Sequence, residues 1–110
     1  MKKVLLDENL PVKLKYRLQD TCEIYTVKDK DWNALENGEL LNAMQEEEFD
    51  YLITSDKNLQ HQQNLANYNF GIMVLDVMNN NYETILPLVD EIRLILTDET
   101  ITKLKIIPGE

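Results

Sequence analysis

Four carboxylates in this sequence stand where carboxylates can do chemistry. Asp7 follows the run Lys3-Val4-Leu5-Leu6, Asp56 follows Tyr51-Leu52-Ile53-Thr54, and Asp76 follows Gly71-Ile72-Met73-Val74-Leu75. Each run is short and apolar, which predicts a buried strand. Glu39 begins a stretch whose Leu40, Leu41 and Met44 have helical spacing. In an open α/β sheet, ligands bind beyond the carboxyl ends of the strands, so these acids are expected at one edge. Carboxylates gathered there repel one another, and a divalent cation relieves the repulsion directly. Mg²⁺ and Mn²⁺ take carboxylate oxygens and waters. Such an ion polarises a phosphoryl oxygen and activates a water for phosphodiester hydrolysis. That chemistry uses no nucleophilic side chain. Each acid also has an ordinary structural reading. Asp56 could cap the next helix, Glu39 could complement a helix dipole, and Asp7 and Asp76 could simply face water. Asp31, in a polar loop, is a further candidate ligand, and Glu8 could point elsewhere.

The elements that must position these groups follow from hydrophobic spacing. Residues 3–6 read as a first strand. Pro11 and the spacing of Leu10, Leu14 and Leu18 predict a helix near 10–20. The β-branched and aromatic run from Glu23 to Val27 predicts a second strand. Residues 28–36 read as a loop, and Asn37 as the cap of a helix ending near Glu48. Residues 51–54 and 71–75 are the third and fourth strands, with a polar helix expected around 57–66. Asn79-Asn80-Asn81 reads as a turn. Tyr82 to Leu96 is helical by spacing, with a kink or a later start at Pro87. Lys103 to Ile107 reads as a short edge strand whose lysines discourage unwanted pairing. Alternating strands and helices predict an α/β fold, a three-layer α/β/α sandwich with a mostly parallel sheet of four or five strands.

Composition narrows the function classes. The 110 residues suit a single domain spanning 1–110. Eleven Lys and Arg against twenty Asp and Glu give a formal charge of −9. The first fifty residues hold 7 basic and 12 acidic side chains and the remainder 4 and 8, so no basic arm or charged tail exists. One cysteine, Cys22, and one histidine, His61, cannot build a structural zinc site or an intrachain disulfide. They read as a small buried hydrophobe and a surface imidazole. Three glycines leave no room for a Walker A loop or a dinucleotide fingerprint. No apolar stretch is long enough for an export signal or a membrane span, and a cytoplasmic location with no membrane partner is expected. The acidic charge opposes RNA, whose affinity depends on Lys and Arg. Lys13, Arg17, Lys57 and Asn58 are the candidate substrate contacts. The amide-rich segment around His61 could touch bases but also suits a solvated face. Trp32 and Tyr51 could stack on bases, although Tyr51 suits the core better. Glu46-Glu47-Glu48 reads as a solvated helix end.

Three segments together carry a resemblance. Leu5-Leu6-Asp7-Glu8-Asn9-Leu10-Pro11, Asn37-Gly38-Glu39-Leu40 and Leu52-Ile53-Thr54-Ser55-Asp56-Lys57-Asn58-Leu59 resemble the bacterial PIN-like family, small relatives of PIN nucleases described as toxins of toxin–antitoxin pairs. The resemblance spans residues 3 to about 96. It implies a PIN-like sandwich and Mg²⁺- or Mn²⁺-dependent hydrolysis of RNA, inhibited by a cognate antitoxin. It implies that Asp7, Glu39 and Asp56 hold the metal and carry catalysis. Relatives often carry an Asp before the middle-helix Glu where this chain has Asn37, which leaves Asp76 or Asp31 as a fourth member. Two other readings compete. One is a non-catalytic PIN-like interaction module, motivated by Asn37 and the negative charge. The other is a receiver-like phospho-acceptor domain, motivated by Asp7-Glu8 and Asp56. A homodimer is compatible with each.

Overall fold

The computed structural model describes residues 1–109. Five strands, β1 (Lys3–Leu6), β2 (Glu23–Thr26), β3 (Tyr51–Thr54), β4 (Gly71–Asp76) and β5 (Leu104–Pro108), form one sheet in the order β2-β1-β3-β4-β5. Every neighbouring pair is parallel. Helices α1 (Leu14–Leu18), α2 (Asn37–Glu46), α3 (Leu59–Gln62), α4 (Tyr82–Ile85) and α5 (Val89–Thr97) lie in the connections. No helix among the described residues is long and apolar enough to cross a membrane.

The central strands are unbroken apolar runs because both of their faces are covered. Alternation divides their side chains between two clusters. Val4, Leu6, Ile53, Met73 and Leu75 pack with Leu14 and Leu18 of α1, Ile85 of α4 and Ile92 and Leu96 of α5. Leu5, Leu52, Ile72 and Val74 pack with Leu40, Leu41 and Met44 of α2 and with Leu59 of α3. Two clusters sharing one sheet are consistent with a three-layer α/β/α sandwich. Cys22 is buried in the first cluster, and burial pushes its thiol pKa up to about 11. Gly71 is obligatory at the start of β4. A Cβ there would stand 2.1 Å from the Thr102 carbonyl oxygen and 2.5 Å from the Tyr51 ring.

The helices are shorter than their apolar spacing predicts. α1 covers only residues 14–18, because the chain from Asp7 to Lys13 is a series of turns, with Leu10 N–H donating to Asp7 and Leu14 N–H to Pro11. Leu10 still reaches the core from that turn region, so its place in the Leu10-Leu14-Leu18 spacing reflects burial without helix. The helix expected over 57–66 is α3 followed by a 3₁₀ turn at Leu65–Asn67. There Asn64 accepts from the Ala66 N–H, a local bond that competes with continued helix. Pro87 divides the 82–96 segment into α4, a 3₁₀ turn at Leu86–Leu88 and α5. The N-cap of α2 is Glu36, and Asn37 is its first helical residue. Glu46, Glu47 and Glu48 are exposed at the end of α2, and Glu47 pairs with Lys30 at 2.6 Å. β5 is the edge strand anticipated from the C-terminal alternation.

Candidate functional site

The strand order fixes where a site can form. β2 lies on one side of β1 and β3 on the other, so the chain reverses its winding between β1 and β3. That reversal opens a crevice at the carboxyl ends of the strands, where doubly wound sheets bind ligands. The β1–β3 register pairs Leu5 with Leu52 and Leu6 with Ile53. One step further, it sets Asp7 beside Thr54, and the Asp7 N–H donates to the Ile53 carbonyl at 2.9 Å.

Thr54 joins the Asp7 carboxylate to the Asp56 backbone. Its side chain is fully buried. Its hydroxyl donates to Asp7 Oδ2 at 2.7 Å and accepts from the Asp56 N–H at 3.0 Å. A hydroxyl can do both at once. Asp7 Oδ1 accepts from the Glu8 N–H at 2.8 Å, and Asp56 Oδ1 accepts from the Asn58 N–H at 3.0 Å. Both carboxylates are half-buried, and among the described residues neither has an ion-pair partner. Thr54 is the member the sequence reading passed over. Its signal was a hydroxyl residue ending an otherwise apolar strand two positions before an acid.

The remaining candidates are placed differently. Glu39 is exposed in the first turn of α2, and its Oε1 accepts from the Glu36 N–H at 3.1 Å, the reach-back bond of a capping box. Between the start of α2 and the end of α3 lies an open cleft of about 440 Å³, bordered by Asn37, Gly38 and Gln63. Asp76 belongs to β4 and pairs with Lys57 at 3.0 Å, both side chains about half exposed. Asp31 lies in the loop after β2 with a positive φ of 60°. Among the described residues, no three His, Cys, Asp or Glu side chains form a ready-made metal cluster.

Compared with protein-family models, curated proteins and solved structures, the chain finds no match.

The basic candidates do not converge on the acid pair. Lys13 Nζ lies 5.6 Å from the centre of the Tyr82 ring, and Arg17 Nε donates to the Tyr82 hydroxyl at 2.7 Å. Lys57 is held by Asp76, and Asn58 enters through its backbone N–H alone. Tyr51 is fully buried, with its hydroxyl accepting from the Thr102 N–H at 2.7 Å, so it cannot stack on a base. Trp32 packs on the second core cluster beside Phe49, with ring centres 5.8 Å apart. His61 is exposed.

The opposite edge of the sheet is built for stability. Asp50 accepts from the Lys3 N–H at 2.7 Å, Lys3 Nζ donates to the Glu47 carbonyl, and Lys2 Nζ donates to the Leu96 carbonyl at the end of α5. There, acids meet amides and lysines. At the carboxyl edge, Asp7 and Asp56 have no ion-pair partner among the described residues.

Proposed function

We propose that this chain is a divalent-metal-dependent ribonuclease of the bacterial PIN-like kind, the toxin of a toxin–antitoxin pair acting in the cytoplasm. The observation that carries the reading is the Thr54 hydroxyl, which joins the Asp7 carboxylate to the Asp56 backbone N–H at the β1/β3 reversal. Two half-buried carboxylates without a basic partner offer hard oxygen donors. Mg²⁺ fits such a pair, because it keeps several waters and is commonly held by one or two carboxylates plus substrate phosphates. When bound, Mg²⁺ or Mn²⁺ supplies Lewis-acid polarisation of a phosphoryl oxygen and a lowered water pKa.

The chain's own residues orient and bind. Thr54 fixes the Asp7 carboxylate, and the Glu8 N–H holds its other oxygen. The turn after β3 fixes Asp56 through the Asn58 N–H. Lys57 projects from the same turn, and its exposed pair with Asp76 is weak enough to exchange for a substrate phosphate. Lys13 and Arg17 stand at Tyr82 and are not assigned to the substrate. Glu39 is assigned to the cap of α2, so the reading rests on two acids in place of three. The acidic surface suits an antitoxin that presents basic residues.

The test is RNA cleavage with Mn²⁺, with Mn²⁺ plus chelator, and with Asp56→Asn. Cleavage only by the unaltered chain with free Mn²⁺ is expected. Equal cleavage in all three marks a contaminant and overturns the proposal. A non-catalytic PIN-like module is the second reading, favoured by the satisfied Glu39 cap. It expects no cleavage and no cation binding. The order 2-1-3-4-5 also suits a receiver-like phospho-acceptor domain. That reading asks for Ser or Thr at the end of β4, where Asp76 stands against Lys57.

A further inference from the structure

The two edges of the sheet are finished differently. At the β2 edge, the loop that follows the strand turns back on it. The Thr26 N–H donates to Asp29 Oδ2 at 2.9 Å, and the Thr26 carbonyl accepts from the Lys30 N–H at 3.3 Å. At the β5 edge, two bonds fix which groups face inward. The Ile72 N–H donates to the Lys103 carbonyl at 3.0 Å, and the Gly109 N–H donates to the Asp76 carbonyl at 2.8 Å. The parallel register pairs Ile72 with Leu104 and Val74 with Ile106. This phase turns the N–H and C=O of Leu104 and Ile106 away from β4. Among the described residues, nothing hydrogen-bonds to them. Their side chains are 36% and 45% exposed and lie on the face opposite to the buried Ile107.

An open edge with exposed apolar side chains is a template for one more strand. The sequence of β5 disfavours a second copy as that strand. An antiparallel pair centred on Lys105 sets it opposite Lys105 of the second copy, and one centred on Leu104 sets it opposite Lys103. Like charges directly opposite each other destabilise a sheet. Centred on Ile106, the pair matches Leu104 with Pro108, which has no N–H to donate. The surroundings select a different occupant. Beside the carboxyl end of β5 lies a partly enclosed cleft of about 430 Å³, with Met78, Pro87 and Pro108 on its walls and Glu83 and Glu91 as its charged groups. Neither glutamate has an ion-pair partner among the described residues. Apolar walls beside carboxylates suit a Lys or Arg side chain, whose stem packs while its head is charged. The net charge of −9 favours a basic partner at longer range.

We propose that β5 takes up an extended segment of another protein as an added strand at its open edge. The segment's apolar side chains, at alternate positions, lie beside Leu104 and Ile106. A Lys or Arg at its end beside Pro108 enters the cleft of Glu83 and Glu91. Main-chain hydrogen bonds to the two open residues supply affinity, and the cleft selects the partner. The interaction stands apart from the proposed cation site, since β4 lies between β5 and β3.

Amide hydrogen exchange of the full chain, alone and with a probe peptide, tests the proposal. The probe is a short blocked peptide of alternating Val and Thr with Arg at both ends, and its control carries Glu at both ends. In the free chain, the Leu104 and Ile106 amides are expected to exchange quickly, and those of Lys105 and Ile107, which face β4, slowly. The Arg peptide is expected to slow exchange at Leu104 and Ile106. It is expected to bind about two- to fivefold tighter than the Glu peptide, the scale of exposed ion pairs. Ile106→Lys, a change at an exposed position, is expected to weaken its binding roughly tenfold, the scale of one lost apolar contact. Glu83→Gln together with Glu91→Gln is expected to abolish the preference for Arg while binding persists. Protection of Leu104 and Ile106 that grows with chain concentration would assign the edge to a second copy and overturn the proposal. Equal binding of the two peptides, protection confined to another surface, or no binding would overturn it as well.

Discussion

At the residue scale, Thr54 is a fully buried polar group whose hydroxyl is used in both directions. It is buried, donates to one acid and accepts from the backbone of another. Thr54→Val keeps the shape and removes the hydroxyl, leaving the Asp56 N–H without its acceptor. A buried group left unpaired costs about 1–3 kcal/mol, so denaturant unfolding should show that loss. Mn²⁺-dependent cleavage should fall as well, because Asp7 loses its anchor. Thr54→Ser should restore the cleavage, whereas a purely structural role predicts no such rescue. Asp7 and Asp56 were legible in the sequence because strand-end acids stand out against apolar runs. The role of Glu39 was not legible, since a metal ligand and a capping residue have the same type and the same position.

At the element scale, α1 is fastened by ion pairs as well as by its core leucines. Arg93 of α5 donates to Asp20 Oδ1 at 2.8 Å and to the Arg17 carbonyl at 2.8 Å, just beyond and within α1. Lys15 of α1 reaches Asp29 in the loop after β2. The Arg93 guanidinium holds the Asp20 carboxyl below its ordinary value of 3.8, and Lys15 with the Thr26 N–H does the same for Asp29. A depressed carboxylate contributes stability above its unfolded pKa and loses it as pH falls through the folded value. The contribution of both pairs should therefore be intact at neutral pH and fade below about pH 4. Thermal unfolding of Arg93→Met should show a lowered Tm at neutral pH and a smaller gap from the unaltered chain near pH 3. A gap that is constant across this range would assign the loss to Arg93's packing instead of its charge. The central strands β1, β3 and β4 were readable almost residue by residue, because burial on both faces leaves few polar interruptions. The helices were overextended. A buried leucine such as Leu10 has the same spacing whether a turn or a helix delivers it.

At the scale of the whole molecule, charge and topology act together. The parallel order β2-β1-β3-β4-β5 sets the ends of β1 and β3 side by side at the reversal. Alternation of strands and helices predicts such a sheet, but the order itself depends on which crossover passes over which strand. A net charge of −9 repels RNA at long range. Few basic groups stand near the proposed site, so one or two neutralised phosphates are expected. Single-strand affinity should then fall with salt at a log–log slope of only about −0.7 to −1.4. A slope several times steeper, measured by fluorescence anisotropy across a salt series, would point to a broad basic surface that this account does not contain.

Asp7 and Asp56, without Glu39, are proposed to hold one divalent cation. Calorimetric titration with Mn²⁺ of the unaltered chain, Asp7→Asn, Asp56→Asn and Glu39→Gln tests it most directly. Gln serves a capping box as Glu does, so Glu39→Gln removes charge while keeping the cap. One bound cation is expected in the unaltered chain and in Glu39→Gln, and none in Asp7→Asn or Asp56→Asn. Undiminished binding in Asp7→Asn, or binding lost in Glu39→Gln, would contradict it.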